Sequence, residues 1–252
     1  MVLLMSSVKR TYFLSDAHLG SLVISNRKEQ EQKLCRFLDS IRNDASSIYF
    51  LGDMFDFWFE YRTVVPKGFT RFIGKVAELS DAGIDIHFFP GNHDMWTFGY
   101  LREELGIVVH EKPCEITIQG KKFFLAHGDG LNEKGVGVFL IQRIFRSKIC
   151  QFLFRLFPPY LGIKFGYGWS RHNRMGENTA RYYGEEHEWL VQYAKQYSET
   201  HTINYFIFGH RHILLDLLLR DRNHVIILGD WITLFSYAVF DGERLELLQY
   251  EG

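Results

Sequence analysis

The stretch IDIHFFPGNHDMW, residues 84–96, decides how the rest of the chain is read. Apolar and β-prone residues run from Ile84 to Phe89, stop at Pro90-Gly91, and hand over to Asn92, His93 and Asp94. A run bounded in this way reads as a buried strand followed by a turn that carries polar side chains. Four further runs finish alike: TYFLSDAH (11–18), IYFLGD (48–53), KFFLAHGD (122–129) and YFIFGHRH (205–212). Each closes on Asp, His or Asn. In open α/β sheets ligands sit beyond the carboxyl ends of the strands, so endings scattered from residue 16 to residue 212 are expected to meet in one place.

The intervals supply the helices. Leu34, Phe37, Leu38 and Ile41 fall at helical spacing, and Phe69, Phe72, Ile73, Val76 and Leu79 do so again before Gly83, which reads as a C′ glycine. A short helix is expected near 98–105, and EITIQGKKFFLAHGDG reads as a hairpin turning at Gln119-Gly120. A later helix is expected to place Ala180, Tyr183, His187, Leu190, Val191, Ala194 and Tyr197 on one face. HVIILGDW, YAVFD and RLELLQY supply further strands. Strands alternating with helices predict an α/β protein, and the lack of repeats, low-complexity tracts or linkers predicts a single unit over residues 1–252.

One segment breaks the pattern. Between Glu133 and Glu177 stand eight basic residues, Lys134, Arg143, Arg146, Lys148, Arg155, Lys164, Arg171 and Arg174, with no Asp or Glu. Aromatic and aliphatic residues, among them Phe139, Phe152, Phe154, Phe157, Phe165 and Trp169, lie between them, and Pro158-Pro159 divides the segment. Since it separates two of the polar strand endings, it reads as a helical cap inserted over roughly 131–180, standing above the site.

Composition narrows the class. A chain of 252 residues, 46% hydrophobic, has material for a large core. The formal net charge of −1 gives no overall attraction to nucleic acid or acidic membranes, so any such affinity must be local. Cys35, Cys114 and Cys150 are odd in number and widely spaced, which argues against a disulfide framework or a zinc–thiolate site and fits a reducing compartment. The opening MVLLMSSVKR has an apolar run too short for a signal peptide, and no stretch approaches the ~18 apolar residues of a membrane span. The expectation is a cytoplasmic protein that can touch a membrane.

The polar endings have metal-ligand character. Asp16 and His18 flank Ala17, and His210 and His212 flank Arg211, so each pair projects to one side of an extended backbone. Asp53 offers two carboxylate oxygens that can bridge two cations, Asn92 a carbonyl oxygen and His127 an imidazole nitrogen. Such a mixed nitrogen and oxygen set suits manganese, iron, zinc or cobalt better than calcium. Two divalent ions about 3.5–4 Å apart activate water and neutralise a phosphoryl group for in-line displacement. His93 is then placed to stabilise or protonate the leaving oxygen, with Asp94 expected to orient it. His87, His110, His172, His187, His201 and His224 belong to no matched pair and read as surface or core histidines.

Taken together, DAH, GD, GNHD, HGD and GHRH resemble the signature of the calcineurin-like metallophosphoesterase superfamily. The resemblance implies a four-layer sandwich of two mixed β-sheets flanked by helices. It also implies that Asp16, His18, Asp53 and His212 hold one ion and Asp53, Asn92, His127 and His210 the other. Within the superfamily, SDAHLG, LGDMFDFW and the cap after HGD are similar to the UDP-2,3-diacylglucosamine pyrophosphohydrolases of lipid A synthesis. That likeness implies attack at the α-phosphate, release of UMP and 2,3-diacylglucosamine 1-phosphate (lipid X), a manganese cofactor, and peripheral contact with the cytoplasmic face of the inner membrane. The chain departs from that family at His93, where Arg is usual.

An apolar, cationic cap suits a doubly acylated sugar nucleotide, with Asn92, Ser170, Arg171, Asn173 and Arg174 as candidate substrate contacts. A soluble phosphodiesterase or nuclease of the same superfamily is the alternative, and a silent scaffold for a membrane or protein partner is a third. The cap's basic residues alternate with aliphatic and Phe side chains more than with stacking platforms, which leans away from nucleic acid.

Overall fold

Strands that are covered on both faces must be apolar on both, and the runs singled out above meet that condition. A computed structural model of the chain describes residues 9–132, 140, 143–176, 181–219 and 223–252, without the side chains of 173–176. Strands β1 (Arg10–Leu14), β2 (Ala45–Leu51), β3 (Asp85–Phe89) and β4 (Val108–Val109) lie parallel. Strand β10 (Ser236–Phe240) joins β1 antiparallel, and β11 (Leu245–Gln249) closes the sheet in the order β11-β10-β1-β2-β3-β4. The second sheet runs β5-β6-β7-β9-β8. Its strands are β5 (Cys114–Ile118), β6 (Lys121–Ala126), β7 (Tyr205–Phe208), β8 (Leu214–Leu219) and β9 (Asn223–Leu228), with β6, β7 and β9 parallel.

Alternation along each strand divides the core into layers. Phe13, Tyr49, Leu51 and Phe89 point across to Phe123, Leu125, Ile207, Ile226 and Leu228, which joins the two sheets face to face. Tyr12, Leu14, Ile48, Phe50 and Phe88 point the other way, onto helices α1 (Arg27–Ile41), α2 (Thr70–Asp81) and α3 (Tyr100–Leu105). On the far side Phe124, Phe206, Phe208 and Ile227 meet Leu190, Val191 and Ala194. The result is the expected four-layer α/β sandwich.

Two helix N-termini are capped from a distance rather than by their own sequence. Phe69 precedes α2 in a left-handed conformation without a side-chain cap, and Glu31 of α1 accepts from the N–H groups of Arg71 and Phe72 at 3.0 and 3.1 Å. Glu60 takes the same part at α3, accepting from Phe98, Gly99 and Tyr100.

The segment rich in cations contains α4 (Lys148–Arg155) and α5 (Pro159–Gly176), divided at the Pro pair as expected. Phe154, Ile163 and Tyr167 pack on Phe57, Phe59 and Tyr61, and Trp96 donates to the Phe145 carbonyl at 2.9 Å. The helix expected to display Tyr183 and His187 is shorter than its apolar spacing predicts. Helix α6 covers only Trp189–Tyr197, because Gly184 turns left-handed and Glu188 leaves helical geometry at the cap position. Ala180, Lys134 and Phe139 lie outside the described residues.

Leu38 is fully buried between α1 and the first sheet. Leu38→Ala is expected to lower the unfolding free energy by about 2–5 kcal/mol, seen as a lower urea midpoint at unchanged slope.

Candidate metal centre

All five strand endings converge at one edge of the sandwich. Three overlapping groups bring their ligand atoms within 4.8 Å of one another: Asp16, His18 and His212; His18, Asp53 and His93; Asp53, His127 and His210. Asp53 Oδ2 faces His127 Nε2 at 3.3 Å and His18 Nε2 at 3.7 Å, so one oxygen looks toward both ends of the centre. Asp16 Oδ1 lies 3.4 Å from His212 Nε2 and 3.6 Å from His18 Nε2. Asn92 Oδ1 lies 3.3 Å from His127 Nε2. Every sequence-predicted ligand is therefore in the cluster.

The backbone reaches this arrangement through left-handed residues. Asp16, His18, Asp53, His210 and His212 all have φ between 43° and 68°, a region that costs energy for a residue with a side chain. Cross-links between the endings hold them there: Asp16 N donates to the Gly52 carbonyl at 3.0 Å, His18 N to the Asp53 carbonyl at 2.8 Å, and His210 N to Asp16 Oδ2 at 2.9 Å. Close approach dictates two glycines. A Cβ on Gly52, at φ +85°, would stand 2.4 Å from His127 Nδ1, and one on Gly91 would stand 2.3 Å from Asp53 Oδ1.

Charge and hydrogen bonding fit a cation. Burial alone would raise the Asp53 carboxyl, yet His127 and His93 hold it well below the usual carboxylate range. Burial opposes protonation of His127 in turn, but Asp53 pushes it well above its ordinary value, so the site demands positive charge. Asp16 Oδ1 is buried without a hydrogen-bond partner, an acceptor left over for something other than protein. His127 Nδ1 faces the Leu51 carbonyl at 2.8 Å. A carbonyl only accepts, so Nδ1 carries a proton and Nε2 is the ring nitrogen turned to the centre. No thiolate is present, and the nitrogen and oxygen donors suit a divalent ion such as manganese, iron or zinc.

One expectation needs revision. Asp94 does not orient His93. Its carboxylate accepts from Gly91 N at 2.7 Å, Asp53 N at 3.2 Å and Phe55 N at 3.3 Å, stitching two ligand loops together. Burial and the nearby Asp53 push this carboxyl up to about 7. His93 is held instead by the Asp56 carbonyl, 2.9 Å from Nδ1, and by its own N–H donating to Asp53 Oδ1 at 2.8 Å. Ser170 is buried and Arg171 exposed, while the side chains of Asn173 and Arg174 lie outside the described residues.

Other residues stand around the centre behind its candidate ligands. Asp56 Oδ1 stands 3.6 Å behind His18 Nδ1, and Asp230 Oδ2 3.4 Å behind His212 Nδ1. Arg211, between two candidate ligands, pairs with buried Glu188 at 3.1 Å and covers the Trp189 ring. Of these, Asp230 alone has a legible signal. It closes HVIILGD, another apolar run ending in Gly-Asp.

The chain matches the family model described as calcineurin-like phosphoesterase over residues 9–214. It is 45% identical over 256 residues to a protein of Porphyromonas gingivalis named UDP-2,3-diacylglucosamine hydrolase, covering 96% of this chain and 98% of that one. A protein of the same name from Vibrio atlanticus is 23% identical, with 96% and 98% covered. Among solved structures, a dimetal phosphatase from Danio rerio is similar at a TM-score of 0.48 and 14% identity, covering 96% of this chain and 95% of that one. With its two mixed sheets and its clustered Asp, Asn and His side chains, this chain belongs to the calcineurin-like phosphoesterase family.

Proposed function

We propose that this protein is a dimetal hydrolase that splits the pyrophosphate of UDP-2,3-diacylglucosamine into UMP and 2,3-diacylglucosamine 1-phosphate. The observation that carries the reading is Asp53, whose buried carboxylate stands between two sets of nitrogen and oxygen donors. The name and the 45% identity of the Porphyromonas gingivalis relative supply the substrate. In this reading Asp16, His18, Asp53 and His212 hold one ion and Asp53, Asn92, His127 and His210 the other, with manganese as the metal. When bound, two such ions supply Lewis-acid activation of water and neutralise phosphoryl charge.

The protein's own groups do the rest. His93, fixed through Nδ1 by the Asp56 carbonyl, keeps Nε2 free to hold or give a proton at the leaving oxygen. Asp94 keeps the Gly91 and Asp53 loops in register. The helices of the cap sit on the rim, with the Tyr167 hydroxyl against the Gly20 loop and the Tyr167 ring on Phe57. Their other faces leave Ile149, Phe152, Leu156, Phe157 and Phe165 exposed beside Lys148, Arg155 and Lys164. Exposed apolar side chains rimmed by cations suit acyl chains and an anionic bilayer surface. No helix among the described residues is long and apolar enough to cross a membrane, which accords with a peripheral mode of contact.

Protein incubated with Mn²⁺ and the sugar nucleotide is expected to release UMP, and Asp53→Asn to slow release at least about a hundredfold. No UMP above the Asp53→Asn background would sink the assignment. Changing Phe152, Phe157 and Phe165 together to Ser is expected to raise the KM for the lipid substrate about tenfold, through lost apolar contact. Hydrolysis of a small chromogenic phosphodiester by the same variant should be spared, and equal loss on both substrates would assign these residues to folding instead.

A further inference from the structure

The loop after β9 reaches the centre without supplying a ligand. Asp230 Oδ1 accepts from the N–H groups of Ile232, Thr233 and Leu234 at 2.8, 2.6 and 3.1 Å, which folds the loop into a turn. Its Oδ2 faces His212 Nδ1 at 3.4 Å, with the Thr233 hydroxyl 3.2 Å from both carboxylate oxygens, while His212 Nε2 looks the other way, 3.4 Å from Asp16 Oδ1. The same loop ties down a second candidate ligand, since Trp231 N donates to the Asp16 carbonyl at 3.0 Å. Gln30 Nε2, buried in α1, donates to both the Ala17 and Trp231 carbonyls at 2.6 and 2.9 Å, fastening the loop to the DAH ending.

We propose that Asp230 is a positioning residue that keeps the His212 proton on Nδ1, so that Nε2 offers its lone pair to an ion in the Asp16–His18–His212 cluster. This rests on that cluster holding an ion. The chemistry is a matter of inventory. A neutral imidazole has one N–H and one acceptor nitrogen, and an ionised carboxylate only accepts. With Oδ1 engaged by three backbone donors, Oδ2 is the atom that meets the ring, and it requires the proton on Nδ1. Metal-binding histidines are held in this way in general, and losing the outer partner costs about 10–100-fold in metal affinity.

The arrangement makes Asp230→Asn a sharper probe than truncation. Three N–H groups converge on the Oδ1 position, so the amide oxygen must stay there and the amide nitrogen takes the place of Oδ2. That nitrogen is a donor. His212 Nδ1 must then accept, and the ring proton moves to Nε2, the atom the ion would need; an Asp→Asn change behind a histidine inverts the tautomer in the same way elsewhere. Asp230→Ala, by contrast, unties the turn but leaves His212 free to adopt either tautomer.

The test measures Mn²⁺ binding to metal-stripped protein by the disappearance of the free-ion electron paramagnetic resonance signal, with thermal unfolding of the stripped proteins in parallel. Wild type is expected to bind two ions. Asp230→Asn should weaken one of them by at least about tenfold while melting near wild type. Asp230→Ala should melt lower yet weaken that ion less than Asp230→Asn does. If affinity instead falls in step with melting temperature, with Asp230→Ala the worse on both, the residue is a loop anchor and the proposal fails. Asp230→Asn binding like a two-ion wild type would overturn the proposal and leave the dimetal reading standing. Failure of wild type itself to bind two ions would overturn both.

Discussion

The carboxylate of Asp53 is almost wholly withdrawn from water, with imidazoles on both sides of it. An ionised carboxylate in such a place costs several kcal/mol unless its field is answered, and here little answers it except groups that are themselves candidate ligands. The opposed shifts of Asp53 and His127 are two readings of one requirement, that positive charge sit between them. A protonated His127, its Nδ1–H given to the Leu51 carbonyl, meets part of that requirement at the cost of burying its own charge. A divalent cation meets it while leaving every imidazole neutral. The glycines beside the site follow from the same crowding, since Gly52 and Gly91 let two loops approach His127 and Asp53 more closely than any side chain would permit.

A second constraint lies in the backbone. Five candidate ligands on three loops are left-handed, a conformation that persists only where the surroundings over-determine it. What maintains it is that the loops are bonded to one another. The DAH ending leans on the Gly52–Asp53 turn, the GHRH ending on Asp16, and the Gly91 turn on Asp94, which also reaches Asp53 and Phe55. These contacts require the strands to end level with each other, which the parallel registers of β1 with β2, β2 with β3 and β6 with β7 bring about. The rigid part of the sandwich thus holds the strain, and the strained residues fix where each donor points.

Much of this is legible in residue order because it depends on local pattern. Apolar runs mark the strands, 3.6-residue spacing marks α1 and α2, Gln119-Gly120 marks the hairpin, and polar residues at strand ends mark the candidate ligands. What stays hidden is carried by partners far apart in the chain. Asp94 reads as the partner of its neighbour His93, yet its carboxylate serves Asp53 and Phe55 across some forty residues. Glu31 and Glu60 cap helices they do not belong to, and no capping motif marks them. Of the face predicted from Ala180 to Tyr197, Leu190, Val191 and Ala194 are buried while Tyr183 and His187 are exposed, since a buried Glu188–Arg211 pair and left-handed Gly184 start the helix only at Trp189. Periodicity reports which side chains prefer burial; it does not report which backbone groups a distant carboxylate will claim.

Helices α4 and α5 have two unlike faces. One is satisfied within the protein: Phe154, Ile163 and Tyr167 lie on the aromatic shelf of Phe57, Phe59 and Tyr61, and burial raises the Tyr167 hydroxyl to about 12. That shelf follows Asp53 directly, and Tyr167 also reaches the Gly20 loop just beyond His18, so helix and ligand loops cannot shift independently. The other face is apolar and exposed, with Ile149 at 73%, Leu156 at 67% and Phe152 at 60%. An apolar helix face without a core to receive it is unfavourable in water and becomes favourable only against another apolar phase. The segment thus presents an apolar, water-exposed face on helices whose opposite face packs beside the candidate ligand loops.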